Sequence, residues 1–334
     1  MTIASQTRPT LALTPSEAAA ALATCIAAGQ PACLWGDPGI GKSDVVRQTA
    51  ARLGLACVDV RVALLDPVDL RGLPTLEDGR TRWAPPEFLP RDGAGVLLLD
   101  ELNRGTQMAQ NACLQLVRDR RLGEYELPAG WTVVAACNPT GVGTGQMSEA
   151  LAGRFVHLDV THDLKDWSTW AVAAGLEPLV IAYVRFQPDD LCVPLRRGEK
   201  SGPSPRTWEF VSRIGAQRPP RAIERALVAG AVGHERAVKY MAFAELFRQL
   251  PSIDAILLNP TAAPVPTAPA TQYAVASALA QRADHANLGR VLQYLARLPV
   301  EFGVYAVRDA TTRAPALAAT AEFTAWAVAH QDVL

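Results

Sequence analysis

Eight consecutive residues, Gly36-Asp37-Pro38-Gly39-Ile40-Gly41-Lys42-Ser43, have the types and spacing that can hold a phosphate. The glycines let backbone N–H groups turn inward onto phosphate oxygens, and Lys42 adds a cation that reaches the β- and γ-phosphates. The run follows a short apolar stretch at 32–35 and leads into a helical pattern beginning near Lys42. The positive end of a helix dipole therefore points at the same place. The Ser43 hydroxyl suits Mg2+, and Asp44 completes the candidate nucleotide-binding set.

A phosphate cradle becomes hydrolytic when a metal-holding carboxylate stands beside it. The stretch GVLLLDELNRG (95–105) supplies one, with Asp100 at the C-terminal end of an apolar strand, where open α/β sheets bind ligands. Asp100 is placed to hold Mg2+, and Glu101 to polarise an attacking water. A third strand-like stretch, WTVVAACNPT (131–140), ends in Asn138 followed by Pro139. An amide there either contacts the γ-phosphate and positions the lytic water, or caps a turn before the proline.

The elements that must position these groups are legible in outline. Apolar runs at 32–35, 56–62, 95–100, 131–137 and 155–160 alternate with helical stretches, the pattern of an α/β domain with a parallel sheet. A helix is expected over 15–28, with Thr14 as N-cap and Gly29 at its end. From Leu164 to about Leu250 strand signals thin out, and helices predominate. The proline-rich segment 250–270 reads as an extended connector. In the tail, Leu288, Val291, Leu292, Leu295 and Leu298 share one helical face. The expected division is an α/β domain at 1–162, a helical lid at 163–250, a connector at 251–270 and a helical extension at 271–334.

Bulk composition limits the alternatives. The 334 residues carry a net charge of −1, so a polyanion would need a local basic stripe. The six cysteines form no C-x-x-C pair and read as buried apolar residues of a reducing compartment. The five histidines have no metal-ligand spacing. The opening stretch MTIASQTRPTLALTP lacks a signal-type apolar core, and no run of 18 apolar residues occurs, which points to a cytoplasmic protein without membrane contact.

Taken together, these stretches resemble the AAA+ ATPases, and in detail the MoxR branch with its CbbQ- and NorQ-type members. LWGDPGIGKS looks like the Walker A loop, LLLDELNRG the Walker B strand and VVAACNP sensor 1. MSEALAGRF (147–155) is similar to the segment ending in the arginine finger, which makes Arg154 the candidate. SPRTWE (204–209) resembles sensor 2, with Arg206 as its arginine. LLDPVDLRGLP and WAPPEFLP resemble an insert in the second helix that faces a central pore, and GEYELPAGW the hairpin before sensor 1. The likeness covers roughly residues 12 to 250.

The resemblance implies an AAA+ P-loop NTPase core with strand order 5-1-4-3-2, a helical lid, and a homo-oligomeric ring, commonly a hexamer, with ATP and Mg2+ at subunit interfaces. Arg154 would complete the neighbour's site and Arg206 would serve its own. The catalytic set is then Lys42, Glu101, Asn138 and Arg154. The expected activity is ATP hydrolysis coupled to remodelling of a protein client, in maturation, metal insertion or activation, with a partner bearing a von Willebrand factor A domain. Two alternatives stand beside it. A nucleic-acid motor or loader is disfavoured by the neutral charge, and a non-hydrolysing assembly switch by the Asp100-Glu101 pair. Arg118, Arg120 and Arg121 read as a solvated helix end, with contact to a neighbour's nucleotide or to a nucleic acid as the other readings. Trp167, Trp170 and Trp208 read as lid core.

Overall fold

The computed structural model describes residues 11–139, 145–196, 198–248, 250 and 252–332. The first ten residues of the opening stretch considered above lie outside the described residues. The chain divides into two compact units between Asp163 and Leu164.

The first unit begins with α1 (Pro15–Ala27), β1 (Ala32–Trp35), α2 (Lys42–Arg52), β2 (Ala56–Arg61), α3 (Pro67–Arg71), β3 (Leu73–Glu77) and β4 (Arg80–Ala84). It continues with β5 (Ala94–Asp100), α4 (Gln107–Asp119), β6 (Arg121–Leu122), β7 (Tyr125–Glu126), β8 (Gly130–Cys137), α5 (Glu149–Ala152) and β9 (Val156–Asp159). Thr14 and Glu17 close a capping box on α1, and Pro15 pre-sets its first turn.

Five parallel strands pair in the order β2-β5-β8-β1-β9. Numbered one to five along the chain, they stand in the expected order 5-1-4-3-2, and the unit has the AAA+ P-loop fold. Leu97, Leu98 and Leu99 of β5 are all fully buried, so both faces of this strand are covered and its sequence is a continuous apolar run. β8 lies between β1 and β5, with Trp35 level with Cys137 and Asp100 level with Ala136. Gly36, Asp100 and Asn138 thus leave the sheet side by side at its C-terminal edge.

Two hairpins complete the unit. Of the short pair β6–β7, β7 lies within the stretch that resembled the hairpin before sensor 1 and β6 immediately precedes it. Between β2 and β5, the region that resembled a pore-facing insert forms the brief helix α3 and the antiparallel pair β3–β4.

The second unit is helical: α6 (Leu164–Ala173), α7 (Pro178–Phe186), α8 (Pro205–Ala216), α9 (Arg221–Val232), α10 (His234–Arg248), α11 (Ile253–Leu258), α12 (Pro269–Arg282), α13 (Leu288–Leu295), α14 (Val300–Arg313) and α15 (Ala321–Ala329). Trp167 and Trp208 are buried with Tyr183, Tyr240 and Phe243, and Trp170 packs against the same cluster, a packing role for all three tryptophans. A second apolar cluster is built around Leu279, Val291, Leu295 and Phe302. The expected extended connector over 251–270 is corrected by α11. Between Pro251 and Pro260 the chain has no proline, and Ile256 and Leu257 of this window bury themselves in the second cluster.

Arg185 of α7 and Asp309 of α14 form a bidentate ion pair at 2.5 and 2.7 Å, each side chain only 7% exposed, with the guanidinium over the Tyr305 ring. Removing one member strands the other charge away from water. Asp309→Ala is expected to lower stability by about 3–5 kcal/mol in urea unfolding. Glu209→Ala, which breaks the pair with the exposed guanidinium of Arg213, should cost no more than about 1 kcal/mol.

Candidate functional site

The loop between β1 and α2 is shaped by two glycines. A Cβ on Gly36 would lie 2.5 Å from both the Val160 carbonyl oxygen and Ile40 Cδ1, so only hydrogen fits. Gly41, the N-cap of α2, has φ +96°, a left-handed conformation that favours glycine. It offers no side chain to cap the helix, so the N–H groups of the first turn have no side-chain cap and suit an anion.

Lys42 is buried, 8% exposed, and its Nζ donates to Gly36 O at 2.7 Å, Asp37 O at 3.0 Å and Asn138 Oδ1 at 2.8 Å. The third bond turns the Asn138 amide oxygen toward the cradle, onto the Lys42 ammonium. Ser43 Oγ donates to Asp100 Oδ2 at 2.8 Å, joining the loop to the end of β5. The Asp100 Oδ1 atom accepts from the Glu101 N–H at 2.9 Å. Hydroxyl and carboxylate oxygens side by side suit a hard cation such as Mg2+, so the residues present fit the metal.

Glu101 takes φ +53°, unusual for a residue with a Cβ, and its carboxylate meets Arg104 at 3.1 Å. Asp44 does not turn toward the cradle: its carboxylate pairs with Arg47 at 2.7 Å. Arg47 also reaches Asp59 on β2 at 2.9 Å. Partial burial and the neighbouring Asp100 carboxylate push the Asp59 carboxyl above its usual range, and Arg47 pulls it back.

Arg154 lies at the opposite edge of the sheet. Ala32 at the start of β1 is level with Val156, and Arg154 precedes that residue by two. Arg154 stands in the turn before β9, and four residues of strand rise, roughly 13 Å, separate the level of Val156 from that of Gly36, beyond the reach of one side chain. Arg154 is exposed, and its side chain makes no hydrogen bond or ion pair among the described residues. It lies near Asp119, whose carboxyl is held below its usual range, first by its hydrogen bond with Arg118 and further by Arg154 and Arg121. Arg120 departs from the solvated-helix-end reading of its neighbours. Its guanidinium donates to the Pro128 and Trp131 carbonyls at 2.7 and 2.9 Å and fixes the approach to β8. Arg206, in the second unit, is exposed on the first turn of α8 and has no polar partner among the described residues.

Sequence reasoning passed over Asn103 and Arg104, though both stand in the quoted stretch around Asp100. A buried asparagine in a single turn has no periodicity to announce it. The one signal was a polar residue set between Leu102 and Arg104.

Residues 31–155 match the family model of the AAA domain, dynein-related subfamily. No curated protein matches the chain. Among solved structures, a candidate ATPase of Cytophaga hutchinsonii is 24% identical, with a TM-score of 0.36; the match covers 45% of this chain, which spans 47% of that protein. A variant of RuvB from Thermotoga maritima is 16% identical over 84% of this chain and 85% of its own, with a TM-score of 0.38. NtrX from Brucella abortus, in complex with ADP, is 15% identical over 88% and 66%, with a TM-score of 0.39.

A charge-assisted hydrogen bond is worth about 1.5–3 kcal/mol, so Lys42→Ala should weaken binding of a fluorescent ATP analogue by roughly ten- to a hundredfold. Chelating Mg2+ should weaken the wild type as well, and Ser43→Ala should lose that dependence. Affinity indifferent to chelation would contradict the assignment of Ser43 and Asp100.

Proposed function

We propose that the chain is an ATP-hydrolysing remodeller of a protein partner, working as a ring of identical subunits. The observation that carries this is the convergence at one sheet edge of a buried lysine bonded to Asn138, a serine bonded to Asp100, and Glu101 next in the chain. When bound, Mg-ATP supplies an electrophilic terminal phosphoryl group. Lys42 and the first-turn amides of α2 hold its phosphates, and Ser43 and Asp100 would hold Mg2+. Glu101 takes a proton from the attacking water, for which its carboxylate leaves Arg104. Asn138 orients the γ-phosphate, and Arg206 binds the nucleotide.

Arg154 supports the ring. Its place at the opposite sheet edge leaves it nothing to do at its own cradle, whereas a cation donated in trans contributes about a thousandfold or more in related phosphoryl transfers. The protein client is supported by the β3–β4 hairpin. All its residues but Trp83 are exposed, Leu76 is 79% exposed, and Leu64 before it is 75% exposed. Exposed leucines on this hairpin offer apolar contacts that a polypeptide can cover and a phosphate backbone cannot. A partner with a von Willebrand factor A domain follows from the MoxR resemblance.

Two measurements test this reading. Lys42→Ala and Arg154→Ala proteins, each inactive alone, should regain hydrolysis when mixed, because the first lends its arginine to the second. Failure of assembled mixtures to recover activity would contradict action in trans. In pull-downs with a non-hydrolysable ATP analogue, a von Willebrand factor A protein with its enzyme should be retained by the wild type and lost from Leu76→Asp. Recovery of nuclease-sensitive nucleic acid in its place would overturn the protein-remodelling reading.

A further inference from the structure

Asn103 is fully buried in the single turn Leu102–Arg104 that follows Glu101. Its side chain bonds twice to one backbone position. Nδ2 donates to the Asn138 carbonyl at 2.8 Å, and Oδ1 accepts from the Asn138 N–H at 3.3 Å. Asn138 stands one residue past β8, where the sheet ladder has ended and its backbone groups need other partners. The Asn103 amide thus adds one more rung between the end of β8 and the turn after β5. An amide suits this place because it carries a donor and an acceptor in one plane; carboxylate or apolar side chains lack one or both.

The geometry points to Asn103 as a positioning residue for hydrolysis, one that fixes the Asn138 backbone so that the Asn138 amide stays on Lys42 and faces the terminal phosphate. The inference rests on the proposed role of Asn138. Asn103 also ties that amide to the acidic turn, since it follows Glu101 by two residues. A shift of Glu101 away from Arg104 is then passed to Asn138, so that the proton acceptor and the phosphate contact are set together.

The test is a double-mutant cycle on the full-length chain, reading kcat and KM for Mg-ATP. Asn103→Ala is expected to lower kcat by about ten- to a hundredfold, the usual cost of a misplaced contact, with KM nearly unchanged. In an Asn138→Ala background the same substitution should cost little more, because the amide it positions is already gone. If the two losses multiply, Asn103 supports the fold in general and the inference is overturned. Wild-type kcat in Asn103→Ala while Asn138→Ala is slow overturns it too. Should Asn103→Ala fail to fold, Asn103→Ser, whose hydroxyl is too short to hold both backbone groups, runs the same cycle. Failure of the underlying reading looks different: Asn138→Ala would then turn over at the wild-type rate, and the inference would fall with it.

Discussion

The buried ammonium of Lys42 is the constraint on which the rest of the site depends. An ammonium withdrawn from water is costly unless its donors are engaged, and here they meet two carbonyls of its own loop and the Asn138 amide. The loop carbonyls can converge on Nζ only if the chain curls tightly, which calls for Gly36 without a Cβ and Gly41 in a left-handed turn. The amide can reach it only if β8 is the direct neighbour of β1, which is what the strand order provides. A phosphate entering the cradle would compete with these acceptors for the same charge.

From this point the site spreads by short links. Ser43 joins the loop to Asp100, Asp100 accepts from the backbone of Glu101, and Asn103 returns from the turn after Glu101 to Asn138. Three neighbouring strand ends are thereby fastened to one another. Glu101 sits in a left-handed backbone conformation with one carboxylate oxygen on Arg104. In the proposed mechanism, the fastening through Asn103 couples Glu101 to the Asn138 amide.

Much of this was legible in the sequence because it depends on local chemistry. The spacing of Gly36, Gly41, Lys42 and Ser43, and the apolar strands ending in Asp100 and Asn138, are contiguous signals. The strand order was carried by resemblance, since nothing in an apolar run says which run it pairs with. Asn103 was not legible, because its partner is 35 residues away and its role is set by where the ladder of β8 stops. Arg120 was grouped with Arg118 and Arg121 by charge alone, yet a positive φ of +57° turns it inward onto carbonyls. The helix at 253–258 was hidden by its proline flanks, and burial of Ile256 and Leu257 formed it.

The central claim is that the acidic pair at the end of β5 makes this cradle hydrolytic. Steady-state phosphate release from Mg-ATP by the purified chain, compared with Glu101→Gln, tests it most directly. The account predicts turnover by the wild type and its loss, by about a hundredfold or more, in a variant that still binds ATP. Equal turnover in both proteins, or none in an assembled wild type that binds ATP, would contradict it.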